Sequence, residues 1–397
     1  MLIELHLLQS FPVSNLNRDD LGQPKTARFG GFTRARVSSQ SLKRAARRLF
    51  TQNGLQDSDM GIRTKRLRDG AAELLKDRGR NADQSVELCQ AALAELGFKP
   101  NTSTGLTEYL LFVGSAAQQE LADYCEQRWD DLTKAVEEAK KKKEEAKKKN
   151  QKEKETASSR KAGPAKAAKV KPSKERLEAA RRILDGSRAA DIGLFGRMVA
   201  DNTDFNVNGA SQVAHALSTH AVVNEFDYYT ALDDLRPDAE PAADMIGTVD
   251  FNAACFYRYA NLDLGQLEKN LEGDAELAAR AARAWLLSFI HAVPSGKQNS
   301  MAARTVPHTL LGVVREDGAW NLANAFLKPV SDVPDLMAAS TEFLVRHFQQ
   351  TRSFYGDAQI RHTTFAALDG DTRGFSDSEV AADLDDFVVR LLTATKG

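Results

Sequence analysis

Cysteine is scarce: three in 397 residues, Cys89, Cys125 and Cys255, far apart and without metal or redox spacing. That excludes a disulfide scaffold and fits a reducing cytoplasm. Long apolar runs are missing, and no stretch reaches the roughly 18–20 residues that a membrane span needs. Met1–His6 has no basic segment ahead of an apolar one, so no secretory signal is expected. The seven histidines show no HExxH or Cys/His ligand spacing, and GxSxG, Walker-type and GxGxxG loops are absent. His215 and His220, five apart, fall on different helix faces. No repeat of solenoid period occurs. These absences remove the common hydrolase, dinucleotide and zinc classes.

What is present is segregated charge. The formal net charge is −1, yet Arg18–Arg48 holds nine basic residues against Asp19 and Asp20, a net of +7. Lys134–Lys174 holds fifteen lysines and Arg160 against six glutamates, a net of +10, which leaves −18 for the remainder. Concentrated positive patches imply a polyanionic partner, and the acidic remainder opposes indiscriminate binding. At about 150 residues per domain the length implies two to three domains, or one domain with insertions.

Along the chain, residues 2–8 alternate Leu2/Glu4/His6 with Ile3/Leu5/Leu7, which predicts a first strand apolar on one face. Residues 14–37 are turn-rich, a long loop of the kind that carries function, with a short strand at Thr33–Val37. Ser38-Ser39 caps a helix to about Phe50, with Leu42, Ala45, Ala46 and Leu49 apolar and Gln40, Lys43 and Arg47 sharing a polar face. Residues 58–182 form a helical insertion carrying the lysine-rich, low-complexity segment at 134–174, whose second half is expected to be disordered. Asn202–Asn208 is a turn, Ser211–Ser218 is strand or helix, and residues near 200–245 make an excursion from the sheet. Gly247–Ala260 reads as a central strand, Glu276–Val293 as an amphipathic helix, Thr305–Val314 as a strand and Ser378–Thr393 as a terminal helix. Interspersed strands and helices give an α+β class.

The sharpest chemical signal is Asn17–Arg48. A helix N-terminus offers free N–H groups and a positive dipole end, serine hydroxyls add donors, and the arginines and lysines around it suit phosphates without reading sequence. Asp19-Asp20 offers the alternative of a metal-activated water for phosphodiester cleavage, against neutralising Arg18 and Lys25 or capping a turn. Phe195–Met198 and Phe226–Tyr229 offer apolar wedges for bases, or simply core. The lysine-rich segment is a nonspecific arm for duplex nucleic acid, or a solvated run.

LNRDD at 16–20, Lys25, FGG at 29–31 and RVSSQSLKRA at 36–45 resemble the N-terminal region of the CasC family, the repeated crRNA-binding backbone subunit of type I-E CRISPR Cascade. GRM at 196–198, AHALSTH at 214–220, YTALDDL at 229–235, FYRYANL at 256–262, SGKQNS at 295–300 and NAFLKPV at 324–330 continue the resemblance in order. It implies a modified RNA-recognition (ferredoxin-like) palm from 1–57 and 183–397, an inserted helical fingers domain at 58–182 and a protruding thumb hairpin. It implies guide-backbone contacts from Asn17, Arg18, Lys25, Ser38, Gln40, Lys43, Arg44 and Arg47. Met198 then belongs at the base stack, Tyr229 in the thumb, and Lys297 and Gln298 in a loop near nucleic acid. The implied partners are crRNA, target DNA, further copies stacked head to tail, other Cascade subunits and a separate nuclease-helicase, with no membrane. The subunit is expected to be noncatalytic and without cofactor. The strands lack the usual RNA-recognition aromatics, so direct base readout is not expected.

Overall fold

The computed structural model describes residues 1–98, 100–101, 103–154, 174–199, 205–232, 243–331 and 333–396. The latter half of the lysine-rich segment, part of the turn expected at 202–208 and the tip of the excursion at 233–242 lie outside the described residues. The chain divides into two compact units, residues 1–57 with 208–397, and residues 58–207.

The first unit opens with β1 (Leu2–Ser14), β2 (Thr26–Phe29), β3 (Phe32–Val37) and α1 (Ser39–Arg47). The second holds β4 (Ile62–Thr64), α2 (Leu67–Asp77), α3 (Ala82–Glu95), β5 (Leu111–Val113), α4 (Ala117–Gln127), α5 (Trp129–Lys154), α6 (Lys174–Ile183) and α7 (Ala190–Phe195). The first unit resumes with β6 (Ser211–Val213), β7 (Ala216–Ser218), β8 (Glu225–Leu232), β9 (Ala243–Asp263), α8 (Leu264–Asn270), α9 (Ala275–His291) and α10 (Gln298–Met301). It ends with β10 (Thr309–Arg315), α11 (Leu336–Tyr355), β11 (Ile360–Ala367) and α12 (Leu384–Ala394).

Among the described residues, the first unit is a mixed α and β fold around a nine-stranded sheet in the order β11-β10-β1-β9-β7-β3-β2, with β6 and β8 also on β9. Its ladders are antiparallel. β9 is the spine because its 21 residues are long enough to serve β1 over one stretch and β8 over another. The sequence reading assigns no element between Thr305–Val314 and Ser378, where α11 and β11 lie.

β1 departs from the one-sided strand that its alternation predicts. Ile3, Leu5 and Leu7 are buried, and so are Glu4 and His6 on the opposite face. The reason is α11. Leu344 and Phe348 of that helix join Leu8, Tyr257, Tyr259, Leu311 and Val313 in one apolar cluster, which covers the face of Glu4 and His6. On the other face a Cβ at Gly312 would run into Leu391 and Phe387 of α12. Arg258, fully enclosed, donates to the Phe289 and Ile290 carbonyls at the end of α9 and to Gln9 Oε1. A sheet covered on both faces needs no polar side.

Several buried polar groups on the α11 face pair with one another. Tyr259 Oη donates to Glu4 Oε1 at 2.8 Å, Trp320 N donates to the same oxygen at 2.6 Å, and Arg315 Nε lies 3.7 Å from Oε2. His6 Nδ1 and Tyr257 Oη are 2.9 Å apart, and Tyr257 Oη accepts from Leu322 N.

The second unit packs α2, α3, α4 and α6 around Leu67, Leu75, Leu88, Leu121 and Ile183. Cys89 and Cys125 meet in that core with sulfurs 3.8 Å apart as free thiols. The sequence reading ends this unit at 182; the structure carries it to Val207. Phe205 belongs to its core, and half-buried Arg197 donates to the Phe112 and Phe205 carbonyls at 3.1 Å each. α5 runs unbroken into the lysine-rich segment as far as Lys154. Among the described residues no helix is long and apolar enough to cross a membrane.

Burial pushes the Glu4 carboxyl from its ordinary 4.5 up to about 7, against the opposing pull of Tyr259, Trp320 and Arg315. The fold therefore favours the protonated acid, and this contribution to stability is lost as pH rises from about 4.5 through about 7. A Glu4→Gln variant, followed by urea unfolding across that window, is expected to flatten a decline of up to about 3 kcal/mol. An unchanged pH profile would refute the assignment.

Candidate nucleic-acid interface

The loop after β1 is shaped by its own polar groups. Asn15 Nδ2 donates to the Gly22 and Asp250 carbonyls, both at 2.9 Å. Asp19 Oδ1 accepts from Leu21 N and Gln23 N, each at 2.9 Å, so this carboxylate closes a turn. Asn17 Oδ1 accepts from Ser38 N at 2.8 Å, fastening the loop to the start of α1, and Ser38 Oγ accepts from Ser41 N at 3.3 Å as the N-cap.

Three sequence motifs meet around one buried cation. Arg34 donates to the Ser218 carbonyl at 3.0 Å and the Phe326 carbonyl at 2.7 Å. The FGG turn closes the same junction. Gly30 has φ of +61°, and a Cβ there would collide with the Leu327 carbonyl oxygen, so only glycine serves. A Cβ on Gly296 would likewise collide with the carbonyl oxygens of Leu16 and Asn15, which shows how closely the 294–298 loop sits on the cationic loop.

Between these loops and α1 lies an open groove of about 890 Å³. Arg18, Arg44, Arg48 and Arg304 line it and are exposed, with Asp19 and Asp20 as opposing charges and exposed His291 on the wall. Ser41, Gln52, Ser295 and Thr305 add hydrogen-bonding groups, and Leu16, Val293, Pro294 and Val306 add apolar surface. Exposed arginines beside apolar patches suit a single strand, whose phosphates take the guanidinium groups and whose sugars or bases take the apolar wall.

Asn17, Arg18 and Arg44 from the sequence reading border this groove. Gln40, Lys43 and Arg47 lie one stripe away: Ser41 and Arg44, with Arg48 at the C-cap, share the groove side of α1, whereas 40, 43 and 47 share the adjacent one. Burial lowers the Lys43 amine from its ordinary range. Ser38 is buried and occupied as a cap. Lys297, in a left-handed conformation, precedes α10. Gln298 differs from the exposed contact expected of it. It is buried, and its Nε2 donates to the Pro294 and Ala303 carbonyls, so it braces the loop.

The excursion is a hairpin of β8 against the start of β9, with Tyr229 opposite Gly247. A Cβ on Gly247 would strike the Tyr229 ring, so the ring lies across the glycine. Phe226 and Tyr228 are 60% and 64% exposed and sit edge to face on one side of the strand, and Tyr229 is on the other. Met198, in the second unit, is 84% exposed beside the half-buried Arg197.

Sequence reasoning did not select Arg48, Arg304 and His291. Arg48 was recoverable, four residues beyond Arg44. Arg304 and His291 carry no local signal, because only the approach of Gly296 to Leu16 brings their segments to the groove.

The chain matches the family model of CT1975-like proteins over residues 3–390. A search of curated proteins finds no match. Among solved structures, a chain of a CRISPR RNA-guided surveillance complex in a pre-nicking form is 29% identical with a TM-score of 0.80, covering 99% of this chain and 100% of that one. A chain of another CRISPR RNA-guided surveillance complex shares the fold at 24% identity and a TM-score of 0.71, again covering 99% and 100%.

A Gly296→Val substitution is expected to push the 294–298 loop off Leu16 and destabilise the chain by about 1–3 kcal/mol. Thermal unfolding measures this, and a wild-type melting temperature would show that the close approach is dispensable.

Proposed function

The chain belongs to the CT1975-like protein family, a Cas family, and from that premise we propose that it is a noncatalytic backbone subunit of an RNA-guided surveillance complex. In this reading it is of the type I-E, CasC kind. It holds crRNA by the phosphate backbone and leaves the bases free to pair with target DNA. The observation that carries the reading is the likeness of the whole chain, at a TM-score of 0.80, to a chain of such a complex. The arginine groove supports it chemically. A subunit that must accept any guide grips phosphates, whose contacts carry no sequence information.

The first unit serves as an RNA-recognition-like palm, the second as fingers, and the β8–β9 hairpin as a thumb whose exposed Phe226, Tyr228 and Tyr229 press on a displaced nucleotide. Copies stack head to tail on one guide. Such a heterologous contact does not close, so it builds an open filament whose length the RNA sets. Other Cascade subunits cap the filament, and a recruited nuclease-helicase degrades the DNA. The lysine-rich segment reaches for incoming or displaced DNA.

Purifying the protein and sequencing the nucleic acid that accompanies it tests the reading, and short repeat-flanked RNAs are the expected result. Replacing Arg44, Arg48 and Arg304 together by Ala is expected to weaken RNA binding at least tenfold. The slope of log affinity against log salt should fall by about 0.7 for each phosphate contact removed. Lys43→Ala with Arg47→Ala probes the adjacent stripe in the same assay, with a smaller loss expected. Unchanged affinity and slope in both variants would overturn the proposed interface. Assembled complex incubated with complementary RNA and Mg²⁺ should leave that RNA whole. Regularly spaced cuts abolished by Asp20→Ala would make the subunit an endoribonuclease instead.

A further inference from the structure

We propose that Lys25, Arg36 and His215 form a second phosphodiester site bordering the arginine groove, and that strand binding there is coupled to protonation of His215. This rests on the reading of the chain as a guide-RNA binder and adds two residues, Arg36 and His215, to its interface.

The three side chains come from three segments. β3 pairs with β7 at Arg36↔Leu217 and Val37↔Ala216, which sets His215, the residue before β7, beside Arg36. Arg36 Nη1 lies 3.3 Å from His215 Nδ1. Arg36 N donates to the Lys25 carbonyl at 2.8 Å and Arg36 Nε to the Thr26 carbonyl at 3.2 Å. These bonds fix the guanidinium while its Nη1 faces the imidazole.

The arrangement opposes ordinary electrostatics. After burial, the charges that act on the His215 ring are Arg36 and Lys25, and both drive its pKa below the usual value. Behind β7, β9 presents Tyr257 opposite Leu217 and the Tyr259 carbonyl to Ala214 N. Both phenols are held protonated by burial and bring no negative charge. Like charges collected with no acid among them in the described residues are what an anion would neutralise. An ammonium, a guanidinium and a ring N–H offer the donors that phosphate oxygens accept.

Continuity with the groove points to the same strand as the ligand. Leu16 and Asn17 border both the groove and a small cleft that Lys25 and Arg36 line. A strand leaving the arginines therefore passes Asn17 and reaches the cluster. Free, the imidazole is neutral near pH 7. A phosphodiester beside it favours the imidazolium, so binding takes up a proton and tightens as pH falls. Each unit by which the bound strand raises the His215 pKa is worth up to a factor of about ten in affinity between the basic and acidic limits.

The test follows the His215 ring proton by NMR from about pH 8 to about pH 5.5, for the protein alone, with a short single-stranded RNA and, separately, with sulfate. RNA affinity over the same range is measured for the wild type, His215→Gln and Arg36→Gln. RNA and sulfate are each expected to raise the His215 midpoint. Wild-type affinity should rise on acidification. His215→Gln, an exposed and structurally mild change, should remove that rise, and Arg36→Gln should weaken binding about tenfold. If RNA binds but the midpoint stays put and affinity ignores pH, the site is refuted while the guide-binding reading survives. If RNA fails to bind the wild type at all, that reading falls, and a His215 midpoint unmoved by sulfate refutes the site independently.

Discussion

Positive charges gathered on one face of a chain repel one another, so something uncharged has to hold their backbone in place. Here that work falls mostly to amides, hydroxyls and carbonyls, with one carboxylate, Asp19, closing a turn. Asn17 pins the cationic loop to the start of α1 through Ser38 N, and Asn15 fastens it to Gly22 and Asp250. Asp19 spends one oxygen on the turn. With the loop fixed by these bonds to backbone groups, the guanidinium groups of Arg18, Arg44, Arg48 and Arg304 remain on the groove surface for a phosphate chain.

The arginines of the first unit thus divide by environment. Arg34 and Arg258 are fully buried and bind carbonyl oxygens at segment ends, and burial alone lowers their pKa values. Removing such a residue leaves several carbonyls without a donor. The groove arginines are exposed and contribute little to holding the fold together. Residue type alone cannot separate the two groups, since Arg34 and Arg44 lie ten positions apart in the same basic segment.

Part of this was legible in the sequence. Alternation located β1, the Ser38 cap located α1, and the aromatic run 247–260 lies within β9. Glu4 and His6 were misread because period-two alternation reports which side chains differ and not whether a second layer covers the polar row. That layer, α11, comes from residues more than three hundred positions later. Gln298 was misread for a related reason: a polar residue in a loop looks available until the loop folds back and uses its amide.

The order of amino acids by itself determined where charge concentrates, several of the strands and helices, and which motifs carry the family resemblance, because each of these depends on near neighbours. Only the tertiary structure decided which stripe of α1 faces the groove, that Arg304 and His291 join it, and that His215 stands against Arg36. Those are meetings of residues as many as 286 positions apart, as Arg18 and Arg304 are. They are set by strand register and by glycines that let backbones touch, and no local pattern records them.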